Sequence, residues 1–340
     1  MKSLRRLNSM GLGSMARLAM ILTMALTSTS ALAGSCPSTI IKCGCTIDAP
    51  GIYTLGGVSP MTSTGTCIDI TASKVYLLGD GGPIIEGPGS ATSTFGVHVE
   101  ATANRARVEG ITAGAFGVAI RVDGPNATLL FDTTGLDRKG IVLNGANAFL
   151  ANVISQQDTD VGIQINATAT DVLGWYVQAS DDGNVGIELN GASGALLDQA
   201  VADGSGKFGI WLLSASNNYF DGFETQSNGI AGIYLGCNAA GPDGTACPPG
   251  VPSSNNNGFI GSSYGTRNSV VSNTGSPHNQ SYGIAVGLGN SHNRFSLITG
   301  DANKKDDALD ENPKCGGDRW YSDTFTNSNP SESSSPLCID

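Results

Sequence analysis

One short phrase, a glycine followed by apolar, any residue, apolar, recurs through the middle of this 340-residue chain and limits what it can become. The phrase starts at Gly96, Gly117, Gly140, Gly162, Gly186, Gly209, Gly232 and Gly283, at intervals of 21, 23, 22, 24, 23, 23 and 51 residues. A spacing of about 21 to 24 residues marks a solenoid, in which each coil buries its apolar face only against its neighbours. The long interval is one coil with two insertions. Phe259 lies 27 residues after Gly232 where Phe220 lies 11 after Gly209, and Gly283 follows Phe259 by 24 residues rather than 12.

Every coil opens on alternation, as in Val97/Val99, Val118/Ile120, Ile141/Leu143, Ile187/Leu189 and Ile210/Leu212. Period-two alternation predicts a strand with one buried face. Gly, Ser, Asn and Thr recur every few positions with no apolar stripe at 3.6 residues, which excludes a helical repeat. A leucine-rich horseshoe is excluded by the absence of its L-x-x-L-x-L-x-x-N consensus. Asn144, Asn166 and Asn190 hold the fourth place of three successive coils, so their side chains are expected to form a short ladder.

The repeat resembles the right-handed parallel β-helix of the pectin-lyase-like superfamily, over roughly residues 48 to 338. The runs Gly51-Ile52-Tyr53-Thr54-Leu55 and Cys67-Ile68-Asp69-Ile70 are similar to the opening rungs of secreted β-helix proteins. The tail from Asp306-Asp307 through Cys315, Trp320 and Phe325 to Cys338 is similar to a closing rung. The handedness follows from the resemblance and from the chirality of parallel crossovers. The expected fold is therefore all-β, a single right-handed parallel β-helix of about ten rungs with disulfide-stabilised ends.

Residues 1–33 read as a secretory signal. Lys2, Arg5, Arg6 and Arg17 are basic, Leu18 to Thr27 is apolar and too short to span a bilayer, and Ala31-Leu32-Ala33 suits a cleavage site. Residues 34–66 read as a cysteine-rich cap, 67–300 as the β-helix with inserted loops near 236–257 and 265–280, and 301–340 as the closing rung and tail. Without the four leader cations, 14 basic residues face 29 acidic ones, a net charge near −15. Such a chain repels nucleic acid and anionic membranes, and it repels an acidic polysaccharide too unless calcium reverses the local sign. A monomer is expected.

The eight cysteines suit an oxidising compartment. Cys237/Cys247 and Cys315/Cys338 form local pairs, whereas Cys36, Cys43, Cys45 and Cys67 allow three pairings. Zinc fits the group of four poorly, because C-x6-C-x-C-x21-C matches no common finger. Asp306, Asp307, Asp310 and Glu311 form an acidic cluster without the twelve-residue spacing of an EF-hand, so no metal site is assigned and calcium is the only cofactor the charge pattern suggests.

The outward position of each strand, second after the glycine, is taken in turn by His98, Ala119, Val142, Gln164, Glu188, Trp211, Tyr234 and Ala285. Rungs stack about 4.8 Å apart, so Trp211 and Tyr234 are expected side by side, with Glu188 and Gln164 continuing the row. Exposed rings beside hydrogen-bonding groups make a sugar-stacking platform, unless the inserted loop packs over them. Gln164, Trp211 and Tyr234 are the expected substrate contacts. Asp182 and Lys207, at the turns before the strands, join Glu188 as candidate proton-handling groups, although turn Asp residues usually serve the backbone.

The resemblance implies two classes of function. One is a secreted carbohydrate-engaging protein, a polysaccharide lyase, hydrolase or epimerase. The other is a non-catalytic structural or adhesive β-helix. The polygalacturonase motifs N-T-D, G-H-G and R-I-K are absent, as are the D-P-H of alginate epimerases and the R-x-P-x-x-R of common pectate lyases, which favours the second class.

Overall fold

The computed structural model describes residues 34–79, 82–261, 269–272, 280–326, 328–330 and 339. The proposed leader, residues 1–33, and Cys338 lie outside the described residues. So do 262–268 and 273–279, which hold most of the second expected insertion.

The chain winds into a parallel β-solenoid of right-handed type with about 11 turns, one more than the sequence count. The only helical segment among the described residues is a short 3-10 turn at Pro313–Gly317. Among the described residues, the turns and the short end strands build a first sheet of 13 parallel strands, and the rest of each turn adds strands to a second sheet of 19. Of the segment read as the cysteine-rich cap, Cys45–Ile47 pairs with Ile68–Ile70 and Gly51–Leu55 with Val75–Leu78.

The inward residues of the first sheet stack in register as Val97, Ile120, Ile141, Ile163, Ile187, Ile210, Ile233 and Ile284, all fully buried. The second sheet fills the other side of the core. Phe220, Phe259, Phe295 and Trp320 stack at centroid spacings of 4.8, 5.4 and 4.0 Å. Phe220 pairs directly with Phe259, so the segment from 236 to 257 is an insertion between consecutive rungs, as the spacing predicts. The second sheet turns a corner inside each coil at a left-handed residue, for instance Asn152, Tyr176 and Gln199. Such a backbone favours Gly or Asn, and the tyrosine and glutamine there explain why the corner leaves no mark in the sequence.

Two internal columns of polar side chains satisfy the backbone at the turns, where buried amides would otherwise lack partners. In one, Asn218, Asn257, Asn293 and Asp318 pass bonds up the stack, each accepting from the backbone N–H of the rung before. In the other, Asp137, Asp158 and Asp182 accept from the N–H groups of Phe116, Asp137 and Asp158.

Disulfides join Cys36 to Cys45 and Cys43 to Cys67 at the first turns, resolving the pairing left open by sequence. Cys237 and Cys247 pair as expected. Cys315 is also disulfide-bonded.

Candidate functional site

The outward row of the first sheet runs Asp69, His98, Arg121, Val142, Gln164, Glu188, Trp211, Tyr234, Ala285 and Leu309. It matches the expected row except in one rung. Arg121, not Ala119, stands beside His98, while Ala119 is fully buried opposite Gly96. The Gly117 register is therefore corrected by two residues. The slip keeps Ile120 inward, but it moves Ala119 from the outward row into the core and places Val118 in register with Phe95 and Lys139 rather than with Val97 and Ile141.

The row has three parts. At its start, His98 is 9% exposed and sits among carboxylates. Its Nε2 lies 2.8 Å from Asp123 Oδ2, and its Nδ1 lies 3.2 Å from Asp69 Oδ1 and 3.3 Å from Glu100 Oε1. Burial opposes charging of the imidazole, but the bonds to Asp69 and Asp123 and the charges of Glu100 and Asp123 outweigh it and raise the His98 pKa. Burial acts on Asp123 in the raising direction and is outweighed by His98, Arg121 and Asn144, so its pKa falls. Arg121 Nε donates to Asp123 at 2.9 Å and its guanidinium lies 5.4 Å from the Phe95 ring centre. The asparagine ladder starts here: Asn166 donates to Asn144 at 2.7 Å and Asn144 donates to Asp123. Asn190 stands in register with Asn166, but no side-chain bond among the described residues extends the ladder to it.

In the middle, Lys139 Nζ donates to Gln164 Oε1 at 2.8 Å, and Gln164 Nε2 donates to Glu188 Oε2 at 3.0 Å. Burial raises the Glu188 pKa, opposed by Lys139 and the Gln164 amide and reinforced by Asp160. A carboxyl whose pKa is raised by burial, in a bonded series with a lysine on a strand face, is suited to proton transfer.

At the far end the insertion closes over the row. Tyr234 is 2% exposed, stacks on Phe208 at 4.8 Å and is hydrogen-bonded to the backbone of Asn238. Trp211 stays half-buried and donates from Nε1 to Gly236 O at 2.7 Å. The expected pair of exposed rings is thus corrected to one: Tyr234 belongs to an apolar cluster with Phe208, Val185 and Ala231, roofed by the disulfide-closed segment.

The two turn residues are also relocated. Asp182 is 1% exposed, and its inward carboxylate accepts the Asp158 amide 3.0 Å away, so it does not reach the outward row. Lys207 is half-buried at its turn, and the lysine joined to the Glu188 network is Lys139. The tail carboxylates hold local donors: Glu311 accepts from Gly244 and Leu288, Asp310 from Asn312 and Asp307 from Thr326. A depression of about 410 Å³ lies on the second sheet between Pro60, Leu136 and Gln156, and Glu86 is the charged residue in its lining.

Solved structures share this architecture. The Dettilon tailspike protein superposes with a TM-score of 0.56 at 12% identity, over 83% of this chain and 60% of its own. A periplasmic alginate epimerase gives 0.51 at 11% identity, over 89% and 75%, and the A-module of an Azotobacter vinelandii mannuronan C-5 epimerase gives 0.50 at 14%, over 88% and 87%. What they share with this chain is the parallel β-helix fold. No family model matches the sequence, and no curated protein matches it. This β-helix spans about 60% of the Dettilon tailspike's length, and at these identities the likeness is one of fold. No helix among the described residues is long and apolar enough to cross a membrane.

Proposed function

We propose that this β-helix is a secreted carbohydrate-engaging protein whose outward row from Lys139 to Trp211 contacts a glycan. The observation that carries the reading is the bonded series Lys139–Gln164–Glu188, which leads on the next rung to the half-exposed Trp211 ring. A sugar needs an apolar ring face for its C–H side and directional polar groups for its hydroxyls, and this row supplies both. Glu188, raised by burial, is the group assigned to accept or donate a proton, with Lys139 holding the neighbouring negative charge. Three disulfides support an extracellular or periplasmic location. Tailspikes and epimerases among the fold neighbours act as precedent for this use of the scaffold.

The alternative, a non-catalytic adhesive or structural protein, is favoured by the burial of Tyr234 and by the missing family motifs. Incubating the purified protein with a panel of neutral and acidic polysaccharides, with and without calcium, separates the two. Unsaturated products, new reducing ends or a changed uronate ratio indicate catalysis. Binding without product leaves the adhesive reading, and no binding at all rejects both carbohydrate readings.

A further inference from the structure

We infer that Asp69, His98 and Glu100 form a binding site for a divalent transition cation of the zinc class. The three residues come from two adjacent rungs: Asp69 pairs with His98 across the sheet, and Glu100 follows His98 by two residues. One atom from each lies within 4.8 Å of the others. The Nδ1-to-oxygen distances of 3.2 and 3.3 Å match the ligand-to-ligand edge of a tetrahedron with bonds of about 2.0 Å, which is about 3.3 Å.

The hydrogen-bonding logic points the same way. Nε2 of His98 lies 2.8 Å from Asp123 Oδ2, which leaves Nδ1 as the ring nitrogen facing both Asp69 and Glu100. Two carboxylates converging on one ring nitrogen are bridged either by a proton or by a cation held between them. A carboxylate bound to the far nitrogen is also the usual way a metal-ligating imidazole is oriented. Three carboxylates, those of Asp69, Glu100 and Asp123, surround one guanidinium, that of Arg121, and a bound cation reduces this excess of acidic groups. Calcium is disfavoured because it takes six to eight oxygens at longer bonds, whereas an imidazole with two carboxylates suits zinc, manganese or cobalt. The side chains of Asp69 and Glu100 are 30% and 41% exposed, leaving room for a solvent ligand.

The alternative occupant of the gap is a proton on Nδ1, and titration calorimetry on the chelator-stripped full chain distinguishes the two. The expected result is one zinc ion per chain with a raised melting temperature, and calcium binding at least 100-fold more weakly. Glu100→Gln, at a half-exposed position where folding is safe, should lose at least tenfold in zinc affinity. Asp123→Asn should lose about 10- to 100-fold through misorientation of the ring. No zinc bound by the parent, or equal affinity in Glu100→Gln and parent, overturns the site. The site lies four rungs from Glu188, so its failure leaves the glycan reading untouched.

Discussion

At one end of the outward row, Asp69, His98, Arg121 and Asp123 are held by charge. At the other, Phe208, Trp211 and Tyr234 pack ring against ring beneath an inserted segment. Both ends occupy the same positions on the same sheet, so the backbone does not decide their character. What differs is the cover. The 236–257 segment, closed by Cys237–Cys247 and tied to a later rung through Gly244 and Glu311, removes water from the aromatic end. At the other end His98 is buried, but its partners Asp69 and Glu100 keep 30% and 41% of their side-chain surface exposed. A β-helix thus separates stability from recognition by where it places an insertion.

The largest effect that would sharpen this contrast is the loss of a covered ring. Tyr234→Ala should cost about 3 to 5 kcal/mol, the range for deleting a buried aromatic, measured as a fall in denaturation midpoint. A cost near 1 kcal/mol would mean that the segment does not bury the ring. Next, replacing Cys237 and Cys247 by Ser should cost about 2 to 3 kcal/mol through the freed ten-residue closure. It should also shift Trp211 fluorescence to the red as the roof loosens, and unchanged fluorescence would separate the bridge from the cover.

Much of this was legible beforehand, and each failure has a physical cause. Alternation placed Val97, Val99, Ile141, Ile163, Ile187, Ile210, Ile233 and Ile284 in the core but misplaced Val118, and the Phe220 to Phe259 spacing agrees with their direct pairing. Alternation repeats every two residues, however, so it could not separate Ala119 from Arg121 as the neighbour of His98. That one slip hid the cluster of His98, Arg121 and Asp123; counting the rung from Val122 to Leu143 would have revealed it. Asp182 misled for another reason. An aspartate at a turn has the same sequence whether its carboxylate points to solvent or to the amide of the rung below.

That inward column has a consequence for pH. Burial raises Asp137 to about 8, Asp158 to about 7 and Asp182 to about 9. These folded values exceed the unfolded value near 3.8, so the native state holds protons that the unfolded chain releases. The stability contributed is fully present below about pH 4 and is lost as pH rises through the 7 to 9 window. The melting temperature should therefore be lower at pH 9 than at pH 5. Asp182→Asn keeps the oxygen that accepts the Asp158 amide and removes the charge. It should gain at least 1 kcal/mol at pH 9, about 2 °C in a chain of this size, and a melting curve unchanged with pH would contradict the inward assignment. The smallest expected effect is at the open end, where Asn144→Ala, cutting the bonds to Asp123 and Asn166, should cost about 1 kcal/mol.

The most direct test of the glycan-binding row is Glu188→Gln, assayed beside the parent on the polysaccharide that the parent engages best. The substitution preserves size and removes proton transfer, so the melting temperature at neutral pH should hold or rise while turnover falls by at least 100-fold, with binding largely retained. If Glu188→Gln turns over substrate as fast as the parent, the carboxyl at the centre of the row has no part in the chemistry and the assignment of this face is wrong.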